Sequence, residues 1–245
     1  MSVNLQMRFS ANICIIYFVY NIQRYYMEQF EVMPVRVRLT AVLKKAIYTG
    51  EIKSGQELSL TDIAAQTGVS RTPVREAFQA LAAEGLITLR MNKGAIVNRI
   101  DADFIKDHYE LRALLESAAA AKAAEKKPDV SGLLTRAYKL REHPGSVSRD
   151  EYEKLNQEIH LTLWNEAGNK RMKDLLMDLW NGPSTGESPE ERQSHYQKST
   201  EEHIRILEAV QKGDPASAKE AMNEHITRSM NNILRYYEEQ QGTEE

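Results

Sequence analysis

The sequence of 245 residues predicts a mainly α protein in two parts. Residues 33–99 are predicted to form three helices and a β-hairpin, and residues 100–237 an all-α bundle. Turn glycines and capping serines separate short apolar stripes in the first part, and two β-prone runs follow them. In the second part, helical stripes follow one another and we find no further convincing strand.

Composition and charge exclude several classes of protein. Hydrophobic residues make up 42% and charged residues 27%, which is typical of a globular chain rather than of wholesale disorder or a membrane protein. A single cysteine, Cys14, excludes a disulfide scaffold and a site of several thiolates. The sequence contains no phosphate-binding glycine loop and no His-Glu-x-x-His motif, so it offers no signature of a nucleotide enzyme or a zinc protease.

Charge is unevenly distributed, although the net charge is only −3. Residues 33–99 contain ten basic and five acidic residues, whereas residues 100–245 contain 20 basic and 28 acidic ones. A basic segment joined to an acidic one indicates that only the first part faces a polyanion. Ordinary variation in surface charge would give a similar excess. The motifs must therefore decide between a surface that binds a polyanion and chance variation.

The two ends of the chain differ from the rest. An apolar run at residues 13–20 is far shorter than the ~20 residues that a membrane helix needs, and no small-residue cleavage site follows it. We interpret residues 1–32 as a dispensable leader, so that the working protein begins near Met27 or Met33. The alternative is a segment that docks on a partner or on a membrane surface. Residues 238–245 are predicted to form a frayed acidic tail.

Two helices open the first part. The first stops at Gly50, and its apolar stripe consists of Val37, Val42, Leu43, Ala46 and Ile47. Ser59 is a suitable N-cap for the second helix, which is predicted to end at Gly68 because that turn needs a left-handed residue.

The third helix and the hairpin complete the first part. Ser70 is the predicted N-cap of a helix that runs from about Arg71 to Glu84. Its inward stripe is Val74, Ala77, Phe78 and Leu81. Residues 86–89 and 95–97 are predicted strands joined by a turn at residues 91–94. Helix, turn, helix and hairpin in this order predict a winged helix-turn-helix domain.

The start of the third helix carries the chemistry of DNA contact. Arg71 and Arg75 are four residues apart and share a face, and an arginine can make two hydrogen bonds to the edge of a guanine. The hydroxyls of Ser70 and Thr72 suit phosphate oxygens near the positive end of the helix dipole. The alternative is that these arginines form a solvated face of an ordinary helical domain.

Residues 36–99 resemble the DNA-binding domain of GntR-family bacterial regulators. The resemblance rests on residues 47–55, 60–64, 68–77 and 81–86, and above all on the stretch Ser-Arg-Thr-Pro-Val-Arg-Glu-Ala. It implies that Arg71, Thr72 and Arg75 read the operator and that Lys93 and Gly94, at the tip of the wing, lie by the minor groove. Some members carry an arginine where this chain has Thr61, so that contact is lost or replaced here.

The second part opens with a strong helix at about residues 103–124. Residues 109–116 resemble the opening helix of the FCD effector domain found in FadR-type members of the family. Arg112 and Glu116 share a partly apolar face, and an arginine that points inward needs an anion. Either Arg112 pairs with Glu116 or another carboxylate of the protein, or it clamps the carboxylate of a small-molecule effector.

Three histidines are candidates for a metal site. Asn156 and His160 share one helical face, whereas His203 and His225 belong to apolar stripes of two other helices. A single histidine of this kind is usually an ordinary core residue, but three imidazoles and an amide oxygen from three helices would form a bundle-core metal site. Spacing alone leaves both interpretations open. The remaining histidines, His108, His143 and His195, are predicted to lie on the surface.

The FCD resemblance favours the metal. It implies that Asn156, His160, His203 and His225 bind a divalent ion, with zinc, nickel and manganese all open. Many members have Asp where this chain has Asn156, so the lost negative charge should weaken the affinity.

The two resemblances together imply a ligand-responsive transcription regulator, predicted to be a cytoplasmic homodimeric repressor. Its partners would be a pseudo-palindromic double-stranded DNA operator and a small organic acid, and none would be a membrane. The alternative is a helical metalloenzyme with an incidental basic head. Against it, no general base has a pattern of its own, since Glu158 and Glu202 neighbour the ligands along their helices and should point away.

Overall fold

The computed structural model describes residues 33–91, 94–142, 148–182 and 189–242. Within these ranges it has nine helices and three strands, and Pro34–Glu245 forms one compact unit. The proposed leader lies outside the described residues. The elements of the head, our name for residues 34–99, are α1 (Val35–Tyr48), β1 (Glu57–Leu58), α2 (Leu60–Thr67), α3 (Arg71–Ala83), β2 (Ile87–Arg90) and β3 (Gly94–Val97). Those of the bundle are α4 (Ala102–Lys126), α5 (Ser131–Glu142), α6 (Arg149–Glu166), α7 (Lys170–Leu179), α8 (Pro189–Lys212) and α9 (Pro215–Gly242).

Local sequence signals determine where the helices of the head begin and end and which side of each helix is buried. The Ser59 side chain accepts a hydrogen bond from the backbone N–H of Asp62, and Gly68 ends α2 with a left-handed φ of 69°. The four residues predicted to form the inward stripe of α3 are all buried, at 1% exposure or less. The prediction that Val42 belongs to the buried stripe of α1 is wrong, since this residue is 58% exposed.

The wing is a three-stranded antiparallel sheet in the order β1-β3-β2. The hairpin of β2 and β3 was predicted, but β1 was not. Leu58 of β1 pairs with Ala95 of β3, and a Cβ at Gly94 would come within 2.0 Å of the Leu58 carbonyl oxygen. Gly94 is therefore required by the packing of the sheet, whatever it does at DNA.

The bundle is built around α4, which packs against α6, α7, α8 and α9. The mainly α fold is confirmed. The break between α6 and α7 at Gly168 was not among the predicted breaks, and α9 continues to Gly242, beyond the predicted start of a frayed tail at residue 238. No helix among the described residues is long and apolar enough to cross a membrane.

Candidate DNA-binding face and metal centre

The residues predicted to contact DNA lie together on the outside of the head. Ser70, Arg71, Thr72 and Arg75 are all exposed at the start of α3. Arg71 and Arg75 line a cleft of about 560 Å³ that Gly94 of the wing also lines. Lys93 falls outside the described residues. The helix and the wing therefore present one continuous surface.

The start of α3 is open to an anion. Ser70 occupies the N-cap position, but its side chain makes no capping hydrogen bond, in contrast to Ser59. The first turn of α3 contains no acidic residue, so nothing there opposes the positive end of the helix dipole. The predicted N-cap position of Ser70 is confirmed, but its side chain does not cap the helix, so its hydroxyl is available for a phosphate oxygen.

Three histidines from three helices meet in the bundle. His160 of α6, His203 of α8 and His225 of α9 are buried, and one ring nitrogen of each lies within 4.8 Å of the others. The Nε2 atoms of His160 and His203 are 3.4 Å apart. Two nitrogens that bind one tetrahedral zinc ion lie about 3.3 Å apart, given zinc–nitrogen bonds of about 2.0 Å. The cluster therefore fits a divalent ion after a small closure.

Two carboxylates orient these rings from behind. Glu116 Oε2 lies 2.5 Å from His160 Nδ1, and Glu202 Oε2 lies 2.8 Å from His225 Nδ1. A hydrogen bond at Nδ1 leaves Nε2 for a metal and raises its basicity. An arginine anchors each carboxylate in turn: Arg112 Nε donates to Glu116 at 2.7 Å, and Arg228 Nη2 donates to Glu202 at 2.7 Å.

Burial keeps His203 and His225 in the neutral form that binds metal. It lowers the pKa of His225 to about 4, although the hydrogen bond that His225 donates to Glu202 acts to raise it. Burial also holds the pKa of His203 well below its usual value. Burial alone would raise the pKa of Glu202, but His225 and Arg228 outweigh it and lower that pKa. Neutral imidazoles beside an ionised carboxylate are ready to receive a cation at neutral pH.

Asn156 lies one turn before His160 on α6 and is 2% exposed. Its amide nitrogen makes no hydrogen bond to any described residue, although buried polar groups are nearly always paired. An amide turned so that its oxygen faces an ion would remove part of this cost. The unpaired amide and the three imidazoles thus fit a divalent metal, and a borderline ion such as zinc suits nitrogen donors.

Arg112 takes the first of its two predicted roles, the pair with Glu116. It also donates to the side-chain oxygen of Asn181, and its guanidinium carbon lies 5.0 Å from the centre of the Trp180 ring. Arg112, His160 and His225 line a cavity of about 10 Å³, which we call the histidine cavity. Its volume admits one water-sized particle. The space suits an ion, and a larger ligand would have to widen it.

Two predictions about histidines are wrong. His108 and His195 are buried, at 9% and 7% exposure, and His143 falls outside the described residues. His195 lies eight residues before His203 and therefore on the same face of α8, a signal that the sequence did contain. It lines the histidine cavity, and its Nε2 is 3.3 Å from the Tyr152 hydroxyl.

Sequence reasoning missed the roles of Glu202 and Arg228. Glu202 does point away from His203 on its own helix, as expected, but it faces His225 on the next one. Glu158, in contrast, pairs with Arg136. Contacts between helices carry no signature in the spacing along one helix.

The buried state of His108 predicts a loss of stability in acid. Burial, and then the charges of Lys44 and Arg112, lower its pKa from 6.5 to about 3. Between these values the unfolded chain takes up a proton that the folded chain refuses. The free energy of unfolding should therefore decrease as the pH is lowered from about 6.5 toward 3. This residue contributes at most ~1.4 kcal/mol per pH unit to the decrease.

His108→Gln keeps a donor for the Leu179 carbonyl, which His108 Nε2 contacts at 3.0 Å, but does not titrate. Urea unfolding of both proteins in a chelator, between pH 6.5 and 4, should show a steeper pH dependence for the wild type. Parallel curves would contradict the assignment.

Comparison with known proteins identifies the two parts. A model of the bacterial regulatory proteins of the GntR family matches residues 36–97, and a model of the FCD domain matches residues 107–228. The HTH-type transcriptional regulator LutR of Bacillus subtilis is 30% identical over 219 residues, which cover 79% of this chain and 98% of that protein.

Two further comparisons agree with these matches. The Nta operon transcriptional regulator of Aminobacter aminovorans is 35% identical over 121 residues, which cover 49% of this chain and only 58% of that protein. The solved structure of E. coli McbR/YncC, at 20% identity, has the same fold, with a TM-score of 0.63 over 84% of this chain and 99% of that one.

A winged helix-turn-helix head joined to a helical bundle defines the class of DNA-binding transcription regulators. The chain belongs to the GntR family and carries an FCD domain. The names of its relatives are those of regulators, which accords with a non-enzymatic role.

Proposed function

We propose that the protein is a metal-containing, ligand-responsive repressor that binds a pseudo-palindromic operator as a homodimer. The observation that carries this proposal is the exposed group of Ser70, Arg71, Thr72 and Arg75 at the start of α3, in a cleft that Gly94 of the wing also lines. Lys93, next to Gly94 in the sequence, would join them at DNA. The arginines would read base edges, and the hydroxyls would set the register on phosphates. By occupying the operator, the protein would block transcription from it.

The effector would bind beside the metal. Asn156, His160, His203 and His225 would hold the ion, and the ion would supply an electrophile for an anionic group. A small carboxylate would take the place of Asn181 as a partner of Arg112, since an arginine can bind a carboxylate with two hydrogen bonds. The cavity of about 10 Å³ is too small for such a ligand, so binding must select a more open state.

Exposed leucines support a dimer through the bundle. Leu111 and Leu114 on α4 are 48% and 70% exposed, and Leu175 on the adjacent α7 is 44% exposed. Both leucines of α4 turn away from the core of their own chain. A second copy of the chain would cover them and hold two recognition helices about 34 Å apart, one turn of DNA.

Selection of bound duplexes from a random double-stranded library tests the proposal. The full-length protein should enrich a sequence with two inverted half-sites about ten base pairs apart, and its complex should contain two chains. The affinity should fall steeply with salt, as expected when lysines and arginines displace counterions from phosphates. A reporter placed behind the enriched sequence should be silenced by the protein.

Two outcomes would contradict the proposal. Enrichment of no sequence would remove the specific DNA contact. A selected site without inverted symmetry, bound by one chain, would leave DNA binding intact and remove the dimer.

A further inference from the structure

Lys44 is a fully buried cation between the head and the bundle. Its Nζ lies 2.6 Å from Glu84 Oε2 and donates a hydrogen bond at 2.8 Å to the Asp178 carbonyl oxygen. Glu84 is the residue that ends the recognition helix α3, and Asp178 belongs to α7 of the bundle. A buried charge is costly unless it is paired, so these two contacts hold Lys44 in one place.

The chain that follows Asp178 leads straight to the histidine cavity. The Leu179 carbonyl faces His108, and the Trp180 ring centre lies 4.9 Å from that of His160. Asn181 accepts from Arg112 and donates to the Tyr109 hydroxyl at 2.6 Å. Four consecutive residues, 178–181, thus touch Lys44 at one end and the candidate metal and effector site at the other.

We propose that Lys44 is a positioning residue that couples the histidine cavity to the pose of the recognition helix. This inference rests on the proposed function, because it assigns the route by which that site is regulated. An effector that separates Arg112 from Asn181 would move residues 178–181, and Lys44 would pass the movement to Glu84 at the end of α3. Coupling of this kind requires a contact that exists in one pose and not in the other.

Two unpaired polar atoms favour a junction with more than one pose. Glu84 Oε1 and the Tyr48 hydroxyl are buried at this junction without a hydrogen-bond partner among the described residues. Unpaired buried polar groups cost stability, so the pose described here does not satisfy every group. The exposed pair of Arg36 with the Asp178 side chain, at 3.8 Å, spans the same two parts but contributes little by itself.

The test compares duplex affinity in zinc-loaded and chelator-treated protein, with a duplex selected from a random library. In the wild type we expect zinc to change the affinity roughly 5- to 150-fold. Lys44→Met/Glu84→Gln removes both charges together, so neither is left buried alone. This variant should still bind zinc and the duplex, but zinc should change its duplex affinity by less than about twofold. The matched control is Arg36→Met, which should keep the wild-type ratio of duplex affinity with zinc to duplex affinity without zinc.

A wild-type ratio in the double variant would overturn the inference, since Lys44 would then only pack the junction. A ratio of one in the wild type would also overturn the inference, even if the protein binds both zinc and the duplex. Failure of the proposed function is distinct, because the wild type would then enrich no duplex or hold no zinc.

Asn181→Ala provides a second variant at the other end of the route, should the double variant not fold. It leaves Lys44 in place and should likewise bring the ratio toward one; an unchanged ratio would overturn the inference.

Discussion

Arg75→Ala should abolish the preference of the protein for its selected duplex over random DNA and leave the fold intact. Arg75 is exposed on α3 and makes no hydrogen bond or ion pair with a described residue, so its removal breaks no such bond within the protein. A bidentate arginine–guanine contact is worth ~1–3 kcal/mol, which corresponds to a loss of roughly 5- to 150-fold for the selected duplex. Titration of both duplexes at one salt concentration, with circular dichroism of the same samples, measures the effect.

Arg90→Ala is the matched control. Arg90 lines the same cleft, but its guanidinium pairs with Glu57 at 2.8 Å. The substitution removes the same charge from the same surface. It should therefore weaken the selected and the random duplex by a similar factor, because it changes only the electrostatic attraction to phosphates. If Arg75→Ala behaves like Arg90→Ala, with the preference for the selected duplex preserved, then Arg75 does not read bases.

The head could be predicted closely because its signals are local. The cap at Ser59, the left-handed turn at Gly68 and the four-residue stripe of α3 each depend on neighbours within one or two turns of helix. The strand β1 escaped prediction because two residues are too few to establish a period of two. It exists through its pairing with β3, a contact 37 residues away in the sequence, as between Leu58 and Ala95.

It was harder to predict whether an apolar side chain faces the core than to predict that its residue lies in a helix. Val42 and Leu114 are among the most exposed large apolar residues, although both fit a helical stripe. Periodicity tells which residues share a face, but not whether that face meets the core of the chain or another surface. For Leu114, the proposed dimer supplies the second surface. For Val42, nothing in the described residues explains the exposure.

The prediction of the histidine cluster rested partly on the spacing of residues along each helix and partly on the family resemblance. Spacing placed each histidine on a buried face, and burial of all three agrees with this. Their meeting depends on how α6, α8 and α9 cross, which no pattern within one helix encodes, so only the resemblance implied it. From the sequence, Glu116 was considered only as one possible partner of Arg112. In the structure it binds Arg112 and also orients His160, since one carboxylate has oxygens for both.

His203→Ala should remove the metal. The wild type, purified without chelators, should contain about one divalent ion per chain, and the variant close to none, because two imidazoles and an amide make a weak site for zinc. Added zinc should raise the midpoint of thermal unfolding of the wild type and leave that of the variant unchanged, since an ion that binds only the folded state stabilises it by mass action. Metal analysis and thermal melts on the same samples measure both effects.

His195→Ala separates loss of a ligand from loss of a buried ring. His195 belongs to the same helix as His203 and lines the cavity that His160 and His225 line, but its nitrogens face Tyr152 and Arg228 rather than these two histidines. The substitution removes the same volume, so it should lower stability in a similar way and yet keep the ion. Loss of the ion in both variants would mean that the cavity collapses when either ring is removed. If the wild type itself held no ion, Asn156 would have disabled the site, and Arg112 with the surrounding cavity would be the remaining place for an effector.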